Sequence, residues 1–178
     1  MKLGFIIGTP DLRKPLVAIL TGADFEGNLR KAAEWGYDGV ELALRDPSQL
    51  DAGQVKALLR KYNLELIGFC TGELWGGDGL GIAGMPPDVT AEAERRLRAI
   101  VDFAGEWGDG MMINLGRVRG RLDEANPEAS WAGAVESFQR LSDYAAPREV
   151  RFTLEPVNHY EVNWIVSTQD GIRLADDI

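Results

Sequence analysis

Five short apolar, β-favouring runs, each separated from the next by an amphipathic helical stretch, constrain this chain more than any single motif does. The runs are Leu3 to Gly8, Gly39 to Leu44, Leu64 to Cys70, Met111 to Leu115 and Arg151 to Leu154. No hairpin signal joins two of them, and strands separated by helices run parallel through right-handed crossovers. The pattern predicts an α/β fold with a parallel, barrel-type (β/α) sheet. A closed barrel of eight such units takes about 250 residues, so 178 residues accommodate five of the eight. The expectation is one domain over residues 1–178, a barrel lacking its C-terminal units.

The helices carry their own punctuation. Phe25, Leu29 and Ala33 recur at helical spacing before Gly36, a left-handed stop. Asp51 with Gln54 forms a capping box before Val55, Leu58, Leu59 and Tyr62, and Asn63 suits the left-handed cap. A third helix is expected from near Thr90, with Leu97, Ile100, Val101, Ala104 and Trp107 on one face and Gly108 at its end. Asn126 as cap and Pro127 in the first turn open a fourth, buried through Trp131, Val135, Phe138 and Leu141. Ser167 and Asp170 cap the last, with Ile172, Leu174, Ala175 and Ile178 as its apolar side. Gly79, Gly81 and Gly84 spell a dinucleotide fingerprint, but Met85-Pro86-Pro87 separates them from a helix, and a flexible lid-like loop is the better reading.

Charge and cysteine use exclude several classes. A net charge of −9 leaves no basic footprint for a nucleic-acid backbone. No apolar stretch approaches membrane-spanning length, and the start MKLGFIIGTP is too short a run for a signal peptide. Cys70 stands alone, so no internal disulfide forms, consistent with a cytoplasmic protein.

Chemistry gathers in Val150 to Glu161, VRFTLEPVNHYE. A strand cannot continue comfortably through Pro156, so Glu155 sits where strand gives way to loop. Asn158, His159, Tyr160 and Glu161 follow at once. This stretch resembles the Glu-Pro-x-Asn-(Arg/His)-(Tyr/Phe)-Glu segment of the sugar isomerase/epimerase family with a xylose-isomerase-like TIM barrel, ketose 3-epimerases included. AAEWGYDGVELAL and GRVRG resemble its first helix–strand junction and its loop after the fourth strand.

The resemblance implies a metal-dependent sugar or sugar phosphate isomerase or epimerase that moves a proton next to a carbonyl. It makes Glu155 both a ligand of a divalent metal, Mn²⁺ or Mg²⁺, and a catalytic carboxylate. Glu161 would grip a sugar hydroxyl, and Asn158 and His159 would orient Glu155 or line the pocket. The family's other three metal ligands follow later strands, and one carboxylate does not hold such a cation, which takes around six oxygen-rich ligands. The metal is therefore not expected to be held by this chain alone.

Further candidates come from the other strand ends. Glu41 either supports the pocket or is a buried carboxylate paired with arginine. Glu73, Trp75 and Asp78 belong to the loop after the third strand, where an aromatic ring can cover a sugar face or pack the loop. Asn114, Arg117 and Arg119 follow the fourth; the arginines would meet an anionic substrate or form a solvated basic loop.

The alternative function is a non-catalytic partial barrel stabilised by self-association. An endonuclease of the same barrel family would need several zinc-binding histidines and a basic face, and the chain has one histidine. Five parallel strands cannot close, so the outer edges stay unpaired and the lumen side, apolar around Phe5, Ile7, Val40 and Ile113, stays open. A homodimer is the expected cover, with a longer protein as the other.

Overall fold

Alternating side chains let each strand bury one face, and the parallel register makes those faces coincide. In the computed structural model, described for residues 1–12, 20–108 and 110–178, the strands are β1 Gly4–Gly8, β2 Gly39–Ala43, β3 Glu65–Cys70, β4 Met112–Leu115 and β5 Arg151–Leu154. They form one parallel sheet in the order of the chain. Phe5 pairs with Val40, Leu42 with Phe69, Phe69 with Ile113, and Ile113 with Phe152, so one apolar face runs across the sheet.

Helices α1 Phe25–Glu34, α2 Ala52–Lys61, α4 Pro87–Gly105 and α5 Pro127–Ala145 cover that face, with a one-turn α3 at Gly72–Gly76 and α6 at Thr168–Asp177. Leu29, Leu97, Ile100 and Leu141 are fully buried against the sheet residues. Phe69 meets Phe103 and Trp107 edge-to-face at 5.7 and 5.5 Å, and those two rings tilt on each other at 4.8 Å, joining β3 to the C-terminal end of α4. Each such side chain taken from water contributes about 1.5–3 kcal/mol. The left-handed stops at Gly36, Asn63 and Gly108 form as expected. The Ser167–Asp170 capping box forms in full, and Asp51 supplies its half for α2 by accepting from the Gln54 amide at 3.0 Å.

The sheet corrects the expected sidedness of the apolar residues. Ile7, Val40 and Ile113 are fully buried under the helices, and Phe5 packs on Trp35 and Tyr37. The opposite, open face carries Ile6, Glu41, Cys70, Asn114 and Thr153, one position out of step in each strand. Its exposed hydrophobic side chains are Ile67 and Met112, each about two-fifths exposed. The same period-2 logic that placed the strands thus reverses the faces.

Other departures are local. Helix α4 starts at Pro87 rather than near Thr90, because proline's fixed φ suits the first helical position. Asn126 occupies the cap of α5 without a side-chain bond, while the Asp123 carboxylate accepts from the Ala125 amide at 2.9 Å. Helix α6 buries Gly171 and Leu174 and meets α5 through Asp177, which accepts from Trp131 Nε1 at 2.8 Å, leaving Ile172, Ala175 and Ile178 exposed.

The glycine-rich stretch after α3 is a packed segment, not a free lid. Leu80, Ile82 and Ala83 are buried, and the Ile82 and Ala83 amides bond to the Val118 and Arg119 carbonyls at 3.1 and 2.9 Å. At Gly84 (φ +63°) and Gly120 (φ +77°) an added Cβ would lie 2.1 Å from the Arg121 oxygen and 2.5 Å from the Ala83 oxygen. Two chain segments cross there so closely that only glycine fits.

Candidate active site at the ends of the strands

Parallel strands send every strand-to-helix connection to one rim. On that rim β5 ends at Leu154, and Glu155 is the next residue, exposed toward the open side of the sheet. Its Oε2 accepts from Asn114 Nδ2 at 3.0 Å. Asn114 lies in register with Cys70 on β3 and Thr153 on β5. Its main-chain oxygen accepts from the buried Thr71 hydroxyl at 2.6 Å, which fixes the strand under the amide.

Glu41 completes this group from β2. Burial raises its pKa, a hydrogen bond with Asn114 works against the rise, and the charge of Glu155 adds to it. The Asn114 amide thus holds Glu155 directly and acts on the charge of Glu41. The alternative of an arginine partner for Glu41 is replaced by this amide. Cys70 sits among them, its thiol pushed up to about 11 by burial, with the Glu41 and Glu155 charges reinforcing the shift.

Glu161, six residues beyond Glu155, stands next to a second group. Its Oε2 lies 3.4 Å from Arg117 Nε and its Oε1 accepts from Asn158 Nδ2 at 2.7 Å. Asn158 thus orients Glu161 rather than Glu155, and its own Oδ1 accepts from the Tyr160 amide at 3.0 Å. Arg117 and Glu73 both flank Gly76, where an added Cβ would meet them at 3.1 and 3.2 Å. Glu73 is 2% exposed and, with Trp75, lies on α3 rather than in a loop. Trp75 packs its ring edge on Gly81, whose Cβ would stand 3.0 Å from Cζ3. His159 is exposed and tilted against Tyr160, ring centroids 4.0 Å apart, so it does not reach Glu155 as an orienting group.

Two candidates hold structure. Asp78 accepts from Arg45 Nη1 at 2.9 Å and Arg96 Nη2 at 2.5 Å, all three largely buried. Arg119 is fully buried and donates to the Leu115, Glu155 and Ile165 carbonyls, which leaves it neither solvated nor able to meet an anion. Burial brings its pKa down to about 10. Asn114 could have been placed by parallel register, which sets it beside Thr153, two residues before Glu155; Thr71, past the end of β3, carries no such signal.

Glu155 and Glu41 offer oxygens near one another, yet among the described residues no group of three or more His, Cys, Asp or Glu side chains could hold a metal ion. Two carboxylates do not make the six-oxygen shell such a cation needs. The residues do not fit as a closed metal centre. No helix among the described residues is long and apolar enough to cross a membrane.

The L-ribulose 3-epimerase of Methylomonas sp. (strain DH-1) is 31% identical over 152 residues, covering 83% of this chain and 50% of that protein. The D-allulose 3-epimerase from Methylomonas sp., solved in complex with D-allulose, matches with a TM-score of 0.66 at 27% identity over 99% of this chain and 59% of the other. A xylose isomerase-like TIM barrel protein from Mycobacterium smegmatis, solved in complex with magnesium, matches at 0.63 and 13% identity over 97% and 60%, a likeness of fold alone. The chain spans about half the length of the relative that it matches at 31% identity. The family model of the xylose isomerase-like TIM barrel matches residues 29–178. By its parallel strand–helix order and by that match, this chain belongs to the xylose isomerase-like TIM barrel family.

Proposed function

We propose that this protein is a sugar epimerase or isomerase that moves a proton at the carbon beside a ketose carbonyl, with Glu155 as the proton-moving carboxylate. One observation carries the reading: Glu155 stands at the C-terminal end of β5 with its carboxylate held by Asn114, and Glu161 stands on the same rim, held by Arg117 and Asn158. The names of the two epimerase relatives support a ketose as substrate.

The residues divide the work by chemistry. Glu155, ionised, accepts the proton while Asn114 fixes the direction of its Oε2. A carboxylate is acceptor-only when ionised, so Glu161 takes a sugar hydroxyl. Asn158 and Arg117 hold Glu161 and offer donors to the same sugar. Trp75, Glu73 and His159 belong to the substrate's surroundings at greater remove. A divalent cation, Mn²⁺ or Mg²⁺, is part of the proposal as a cofactor to which Glu155 contributes one ligand, its shell requiring donors beyond the described residues.

The test is incubation with free ketoses, L-ribulose and D-allulose among them, in D₂O with millimolar Mn²⁺. Deuterium at the carbon next to the carbonyl is the expected result, and none on any ketose would overturn the reading.

The proposal includes a homodimer in a cytoplasmic setting. Ile67 and Met112 on the open face, with the outer edge of β5 and the part of the β1 edge that Leu20 does not cover, favour a second copy as cover. Light scattering at micromolar concentration should return twice 19.5 kDa, and a monodisperse 19.5 kDa particle would contradict the dimer.

A further inference from the structure

The run GRVRGR puts arginines at alternate positions, and all three reach one segment, residues 155–165. Arg117 pairs with the Glu161 carboxylate, and Arg121 Nη1 donates to the Glu161 main-chain oxygen at 3.1 Å. Between them Arg119 Nη1 donates to Glu155 O at 2.7 Å and Leu115 O at 3.3 Å, and Nη2 to Ile165 O at 3.4 Å. Neighbouring bonds tighten the seam. Trp164 Nε1 donates to Gly120 O at 3.0 Å, and Asn163 exchanges two 2.9 Å bonds with the Leu122 main chain.

A fully buried guanidinium whose hydrogen bonds go to carbonyls is costly, because no carboxylate pairs with it directly and the charge of Glu155 offsets its lost hydration only in part. An apolar side chain would fill the same space without that cost. What the guanidinium adds is a rigid planar fork with several donors, able to reach three oxygens at once, where an ammonium is a single compact point. The three oxygens belong to the end of β4, the end of β5 and the return of the loop after β5.

We infer that Arg119 is a positioning residue, the pin that fixes the ends of β4 and β5 and the 155–165 loop as one unit and so sets Glu155 relative to Glu161. Its effect on turnover rests on the proposed epimerase reading; its effect on the loop does not.

Hydrogen exchange on the unmodified protein is the first arm. The amides of Gly120, Leu122, Val157 and Val162, each bonded within this seam, should open as one cooperative unit with a common protection factor. Independent opening of the two segments would overturn the inference. In Arg119→Met, exchange at Val157 and Val162 should rise about tenfold or more while α1 and α2 amides stay within about twofold. Arg119→Lys should behave like the methionine variant, and unchanged loop protection in both would overturn the inference. Should the variants unfold throughout, the first arm decides.

Kinetics add a readout that stability alone does not move. On a ketose that the unmodified protein turns over, both variants should lose about tenfold or more in kcat with KM within about threefold, well below their melting temperatures. Retained kcat in a variant with a loosened loop would overturn the positioning role. A protein that moves no proton on any ketose defeats the epimerase reading and leaves the exchange arms to decide the pin.

Discussion

Replacing Asp78 by asparagine removes the charge shared by two buried guanidinium groups. The side chains of Asp78, Arg45 and Arg96 are only 11%, 6% and 9% exposed. Breaking a buried pair by taking one partner costs about 3–5 kcal/mol, because the cations left behind remain out of water. Arg96 keeps Asp46 at 3.0 Å, and Arg45 keeps the Asp11 carbonyl at 3.1 Å, so the lower end of that range applies. A loss of about 3 kcal/mol corresponds to about 6–12 °C in Tm for a chain of this size. It also corresponds to about 1–3 M in urea midpoint. Urea unfolding followed by tryptophan fluorescence is the assay, with the exposed Asp176→Asn as a control expected within about 0.5 kcal/mol of the unmodified protein. An Asp78→Asn protein within about 0.5 kcal/mol of the parent would refute the cluster as an anchor. The consequence reaches the site, because these bonds tie the connections after β1, β2 and β3 together on the rim that carries Glu155.

Two further outcomes follow from the same groups. Burial alone would raise the Asp46 and Asp78 pKa values. Ser48, Gln49 and Arg96 instead bring Asp46 down to about 2, and Arg96 and Arg45 lower Asp78. Both folded values lie below the unfolded carboxylate, near 3.9. Their stabilisation is therefore whole above about pH 5 and fades as pH falls toward about 2. The urea midpoint should drop between pH 5 and pH 3, less steeply in Asp78→Asn, and a flat profile would contradict the assignment. Millimolar Mn²⁺ should move Tm by no more than about 1 °C, the shift for a dissociation constant near the metal concentration. A rise of several degrees would show a ligand set that the described carboxylates do not reveal.

Much of the fold was legible because backbone rules act locally. Gly36, Asn63 and Gly108 took their positive φ, and β5 formed over Arg151–Leu154 as read. What failed was sidedness. Phe5, Ile7, Val40 and Ile113 announce a shared apolar face but not whether helices or a lumen cover it; the neighbouring Gly39, Glu41 and Asn114, poor partners for a helix layer, held that information. At the site, Glu155 and Glu161 were legible from a single loop. Asn114 as the amide that orients Glu155, and Arg119 as a buried pin, depend on contacts 41 and 36 residues apart in the chain. Spacing within a motif does not report contacts over such separations. Asp78 looked like a pocket residue for the same reason, since its partners Arg45 and Arg96 come from flanking units.

The central claim is that Glu155 moves the proton. Its most direct test is deuterium incorporation from D₂O into a ketose, comparing Glu155→Gln with the unmodified protein at matched folding by circular dichroism. Glutamine keeps the shape and can still meet Asn114 through its oxygen, but it cannot accept the proton. The account predicts a loss of about 10²–10⁴-fold in exchange rate, the usual contribution of a positioned general base. Exchange within about twofold of the unmodified protein would place the base elsewhere and contradict the account.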